Sequence, residues 1–396
     1  MPTSVLPYDI FNTSADGLDY TVPDETLIID PGVIVLSQTG IGVDGNGQAN
    51  PTLINNGFIY ETSGRDAVRL DNGNADIVNR SGGEIYGVIA IIDSAGIGST
   101  HVVRNFGNIL NHGNGIVFEG DTHGAWFLNN QGYMHTSDAG VEIDSLFARG
   151  ALDNFGMLIG DHEAVHVSTA PGLVTRVTNE GGGVLRGTDA ILVESGRLHF
   201  VNHGKVIGDV VITDNEAARI VNDGTIKGTV HLGGGNSSYN GGGGAGALAI
   251  YAEGGNDRII AGKGQVSIHL GGGSDNVTGG PDADRFIFDA TPNGHVDKLG
   301  NFHKTGAHGQ GGGSGDKIVL KESAFQTGGS GHHLPADEFH IGTHPTSPSQ
   351  HILYDPANGF LYFVPESVSG LPEAPIHFAT VSPHLGLTND DFLVEA

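Results

Sequence analysis

The sequence predicts an all-β solenoid, a right-handed parallel β-helix followed by a β-roll and a β-rich C-terminal segment. Three observations carry that expectation. Glycine fills 66 of the 396 positions, more than twice its average share, so turns recur along the whole chain. An apolar phrase with a fixed asparagine returns about every 24 residues through the first half, and beyond it the period drops to nine.

Residues 1–50 are read as an N-terminal cap and first coil, and residues 51–230 as about eight β-helix coils. The phrase runs TLINNGFI, DIVNRSGGEI, VVRNFGNI, FLNNQGYM, ALDNFGML, RVTNEGGGV, FVNHGKVI and RIVNDGTI. Its asparagines are Asn55, Asn79, Asn105, Asn130, Asn154, Asn179, Asn202 and Asn222. Two positions earlier stand Leu53, Ile77, Val103, Leu128, Leu152, Val177, Phe200 and Ile220, all apolar. A second apolar row follows the glycine of each phrase: Ile59, Ile85, Ile109, Met134, Leu158, Val184, Val206 and Ile226. Short strand-forming runs bounded by Asn-Gly turns and held in register describe stacked coils, and no window keeps a 3.6-residue period. The asparagines can be read as amides shown to a ligand or as a hydrogen-bonded file along a turn. The second reading is preferred, because turn chemistry explains the asparagine and the glycine together.

From residue 231 to 290 the pattern is a roll. Ile250, Ile259, Ile268, Val277 and Phe286 stand nine apart, and EGGND, LGGGSD and GGPDAD surround them. These phrases resemble the glycine- and aspartate-rich nonapeptides of the RTX (repeats-in-toxin) family, whose rolls bind calcium. With two nonapeptides per coil, residues 18 apart share an edge, so Asp257 is expected to stack on Asp275. Carbonyls of the turn glycines, Gly255 and Gly273, complete a set of hard oxygens suited to Ca²⁺. On the other edge Asp284 meets Val266, which cannot ligate, leaving a weaker place that Asp282 or a carbonyl is expected to help. The alternative is that these residues only make turns, against which stands the repulsion of uncompensated carboxylates. LGGGNSSYNGGGGAG lacks the acids and is read as a connector between the two solenoids.

Residues 291–396 are read as a capping and secretion segment. RFIFD, HVDKLGNF, GDKIVL, HILYDPANGFLYF, APIHFATV and the terminal DDFLVEA follow in the order seen in type I-secreted RTX proteins. The resemblance rests on Asp289, Asp297, Phe302, Asp316, Ile318, Leu353, Tyr354, Asp355, Gly359, Leu361 and the stretch from Asp391 to Val394. It implies strands that cap the roll, an uncleaved export signal, and a chain that folds outside the cell on meeting calcium. VPESVSG departs from the family's acidic loop. His303, His308, His332 and His333 lie in glycine-rich stretches whose spacing matches no compact ligand set, so they are read as loop residues.

Charge narrows the partners. Acidic side chains outnumber basic ones 45 to 18, and a net charge of −27 repels nucleic acid and anionic membrane while attracting divalent cations. No cysteine is present, which excludes disulfides and thiolate metal sites. The first residues lack the basic and apolar regions of a signal peptide, and no stretch is apolar for long enough to span a bilayer. The coils resemble autotransporter passenger domains, which implies a secreted rod for adhesion or self-assembly, with a cell-surface or matrix polysaccharide and further copies of itself as partners. An outward row holding Val117 and Leu192 is the expected lateral face. The alternative is an enzyme on acidic polysaccharide, a lyase or a relative of the alginate (mannuronan C5) epimerases. A recurring turn places Asp66, Asp138, Glu163 and Asp189 at matching corners before an outward row of Arg69, Val117, Glu142, His166 and Leu192. No YGxDPH-like phrase accompanies them, so no catalytic residue is assigned.

Overall fold

The computed structural model describes residues 2–13, 15–93, 98–120, 124–145, 149–304, 315–328, 331–366 and 373–396. Almost every element in it is a short strand, and coil after coil pairs in parallel, as expected of a β-solenoid. Chain contacts divide it into two units, Met1–Glu216 and Ala217–Ala396.

In the first unit a coil contains three strands, for example Thr52–Asn55, Phe58–Glu61 and Asp66–Asp71, then Asp76–Asn79, Glu84–Tyr86 and Val88–Asp93. Each lies parallel on its counterpart, pairing Leu53 with Ile77, Ile59 with Ile85 and Val68 with Ile89. Alternate side chains point inward, as the pleat requires. Leu53, Ile77, Val103, Leu128, Leu152, Val177 and Phe200 are all buried, so the first apolar row faces the core as expected. The third strands add a row that the phrase did not reveal: Val68, Ile89, Ile116, Val141, Val165 and Ile191, also buried.

The second row holds with one correction. Leu185, not Val184, takes the inward place beside Leu158, while Val184 lies opposite the exposed Met157. The turn after Asn179 has the extra glycines Gly181 and Gly182, and a shift of one residue exchanges the faces of a strand. A second correction concerns the outward row of the third strands. Val117 is only 6 % exposed, so it does not offer the lateral apolar face expected with Leu192.

The asparagines form a buried ladder. Each Nδ2 donates to the Oδ1 of the next: Asn55 to Asn79 at 2.9 Å, Asn79 to Asn105 at 2.8 Å, and so on through Asn130, Asn154 and Asn179 to Asn202. All are fully buried. An amide carries donor and acceptor together, so an identical neighbour above and below satisfies it.

In the second unit, strands of three to five residues also pair in parallel. Arg219–Asn222, Ser238–Asn240, Arg258–Ile260, Asn276–Thr278 and Asp297–Gly300 form one ladder. Thr229–His231, Ala249–Tyr251, Ser267–His269, Arg285–Phe288 and Lys317–Lys321 form the other. The glycine-rich stretch read as a connector is itself a rung: Ser238–Asn240 is paired on both sides, and Tyr239 fills the inward place beside Ile259. Further on, Ile352–Asp355 and Phe360–Phe363 form an antiparallel hairpin, Ile376–Thr380 joins it, and Phe392–Glu395 lies parallel to Lys317–Lys321. Phe325 packs edge-on against Phe288, Phe363 and Phe378 beneath that hairpin.

Two substitutions test this packing. Leu128→Asp places a charge among buried apolar rows and is expected to cost about 3–5 kcal/mol. Asn130→Ala strands the Asn105 amide and the Asn154 carbonyl oxygen and is expected to cost about 2–4 kcal/mol. Exposed Arg176→Ser should shift stability by about 0.5 kcal/mol or less. Denaturant unfolding measures all three, and equal tolerance would mean that inward and outward rows are misassigned.

Candidate metal centre

The aspartates of the roll stand at the end of each turn, one residue before a strand, where parallel stacking puts them on one line. Turn backbones pack closely there. A Cβ on Gly273 would stand 1.6 Å from the Gly255 carbonyl oxygen, and one on Gly255 would stand 2.5 Å from that of Gly235. Gly255 and Gly273 also have φ of +97° and +111°, so only glycine fits the bend.

On the first edge the carboxylates form a chain of acceptors. Ser237 N–H donates to Asp257 Oδ1 at 2.6 Å, Asp257 N–H to Asp275 Oδ1 at 2.8 Å, and Asp275 N–H to Asp297 Oδ1 at 2.8 Å. Asp257 and Asp275 are each 2 % exposed, and the Oδ2 of each is buried without a hydrogen-bond donor among the described residues. The stacking of Asp257 on Asp275 therefore stands as expected. Asp297 extends the line at a spacing of 22 residues from Asp275, outside the 18-residue period of the roll.

The second edge differs. Val266 N–H donates to Asp284 Oδ1 at 3.1 Å, which is the neighbour relation expected, but Gly280 N–H donates to Asp284 Oδ2 at 2.6 Å. Asp284 N–H in turn donates to Asp316 Oδ1 at 2.8 Å, and His303 N–H to Asp316 Oδ2 at 2.6 Å. Backbone donors thus reach both oxygens of Asp284 and of Asp316. Asp282 is exposed, with its Oδ2 accepting from Gly264 N–H at 2.7 Å. Of the six residues singled out, Asp257, Asp275, Gly255 and Gly273 come together, whereas Asp284 and Asp282 stand elsewhere.

Burial pushes these carboxyls up. Asp257 rises to about 7, with the neighbouring Asp275 charge adding to the effect, and Asp275 rises to about 6. Asp297 rises to about 7, and Asp284 to about 6. Only the first edge joins raised carboxyls to oxygens that lack donors, and such hard anionic oxygens suit a divalent cation of the Ca²⁺ type.

Other groups gather in the first unit. Asp16, Asp19 and Asp44 bring ligand atoms within 4.8 Å of one another, as do Asp138, His162 and Glu163. Asp138 and Glu163 belong to the recurring acidic turn; His162 was not anticipated. Glu163 pairs in register with Asp189, and on the outward row Glu142 lies beside His166, whose Nε2 is 3.5 Å from Glu194 Oε2. Of the loop histidines, His303 lies against Asp316, His332 and His333 are exposed, and His308 lies outside the described residues. No family model matches this chain, and neither curated proteins nor solved structures give a match.

The raised carboxyls set a pH dependence for the cation-free protein. A carboxyl that holds its proton more tightly folded than unfolded stabilises the fold at low pH, and that contribution is lost as pH rises through the folded value. Stability of the second unit in chelator should therefore fall between about pH 4 and pH 7. Unfolding followed by a probe within residues 250–300 checks it. Stability that rises over this window would contradict the buried-carboxyl assignment.

Proposed function

We propose that this chain is a secreted calcium-binding structural protein of the cell surface or extracellular matrix, acting in adhesion or self-assembly, whose second unit is ordered by calcium. The single observation that carries the reading is the pair of buried, donor-less Oδ2 atoms on Asp257 and Asp275. A buried carboxylate oxygen without a partner is costly, and a cation between adjacent rungs offsets that cost. Asp257 and Asp275 would hold the ion through these oxygens, with turn carbonyls such as that of Gly255 supplying further ligands. Asp284 is better read as a turn residue already satisfied by the backbone.

The address follows from the chemistry. A site of clustered carboxylates fills where calcium is plentiful, which favours folding after export, in keeping with the RTX-like nonapeptides and the order of the C-terminal strands. The structural role is supported by the regular rows, in which side chains are spent on stacking. The net charge of −27 disfavours nucleic acid as a partner.

Peptide-resolved hydrogen exchange with and without chelator tests the proposal. Chelation should release protection across residues 250–300 and leave residues 50–200 protected. Asp257→Asn with Asp275→Asn replaces each donor-less oxygen with an uncharged amide nitrogen that can donate to a neighbouring rung, as in the asparagine ladder, and should keep residues 250–300 protected in chelator. Protection there that ignores calcium in the unaltered protein would end the calcium reading.

A further inference from the structure

One corner of the first unit, where first strands turn into second strands, is uneven. The turns at 30–33 and 80–83 are long, closed by Val33 N–H to the Asp30 carbonyl and Gly83 N–H to the Arg80 carbonyl at 3.1 and 2.8 Å. A Cβ on Gly32 or Gly82 would meet nothing within 4 Å, so these turns stand proud. The turns at Gly57 and Gly107 are short and tucked in, where a Cβ would strike the carbonyl oxygens of Val33 and Gly83 at 2.3 and 2.2 Å. The result is a groove of about 600 Å³ with Pro31, Phe58, Val78 and Phe106 in its walls. That volume is typical of ligand sites.

Its polar groups are few. Asn56 spends its Nδ2 on the Ile29 carbonyl at 2.8 Å, which leaves Oδ1 as an acceptor. Arg80 and Ser81 also line the groove, Arg80 without an ion pair among the described residues. Among the described residues no carboxylate lines it, although the chain carries 45. Phe106 is 38 % exposed. Phe58 is stacked beside Tyr60, and Tyr60 meets Tyr86, so an aromatic band leads away from the groove.

We infer that this groove binds a neutral, extended hexose polysaccharide. Aromatic faces take the C–H faces of pyranose rings, while an amide oxygen, a guanidinium and a hydroxyl take sugar hydroxyls. Phe58 and Phe106 belong to coils two apart, about 10 Å along the stack at the usual strand spacing, close to the disaccharide repeat of an extended β-1,4-linked chain. The net charge of −27 selects against polyanions. This deepens the adhesion reading by naming a partner class, and it rests on that reading only for the partner's lying outside the cell.

The test is calorimetric titration of the calcium-loaded full chain with cellohexaose, with an oligouronate of equal length as the charged arm. Saturable cellohexaose binding is expected. Phe106→Ala should weaken it at least about tenfold and Arg80→Gln about threefold, with unfolding profiles unchanged in both. Binding should survive chelation, so a failed calcium reading would not be mistaken for a failed groove. Absence of saturation, equal binding by Phe106→Ala, or preference for the oligouronate would overturn the inference. So would sedimentation showing a dimer that Phe106→Ala dissolves, since a second copy would then be the occupant.

Discussion

Parallel stacking forces every side chain in a rung to meet the occupant of the same place in the next rung, about 4.8 Å away. The rest of the architecture depends on that constraint. A residue type is tolerated on an inward line only if it is compatible with itself or with the neighbouring backbone. Apolar side chains, mostly leucine, isoleucine and valine with Met134 and Phe200 among them, meet this by packing, which is why the inward rows run unbroken through the first unit.

Asparagine and aspartate, nearly the same shape, divide the two units chemically. The amide of Asn105 accepts from Asn79 and donates to Asn130, so the buried file closes on itself. A carboxylate only accepts. Asp257 and Asp275 each take one N–H from the preceding rung and have no donor for the second oxygen. The asparagine file of the first unit is thus satisfied by its own side chains. The second unit must take up protons or a cation on one edge, and calcium is the proposed solution. Asp284 shows the third way out, since the turn after Gly279 turns the Gly280 N–H onto its second oxygen.

Much of this was legible in the sequence because a fixed period marks a fixed line in space. The inward row from Leu53 to Phe200, the asparagine file and the Asp257–Asp275 pair all follow from counting. Counting fails where an insertion changes the period without changing the line. Asp297 and Asp316 continue the two carboxylate edges at spacings of 22 and 32 residues, so neither was seen as part of a line. Leu185 displaced Val184 for the same reason, through added turn glycines. Tyr239 went unnoticed as a rung because its surroundings have glycines and no acids, although an apolar inward residue and two turns suffice. The groove beside Phe106 depends on the order of long and short turns at one corner, which no single repeat displays.

The buried oxygens of Asp257 and Asp275 are expected to hold protons that a cation replaces. Calorimetry of calcium binding at pH 6, repeated in buffers of different ionisation enthalpy, counts those protons directly. Release of about one or more protons per chain, falling away by pH 8, is the predicted result, given carboxyls raised to about 7 and about 6. Calcium binding without proton release at pH 6, or no binding at all, would contradict it.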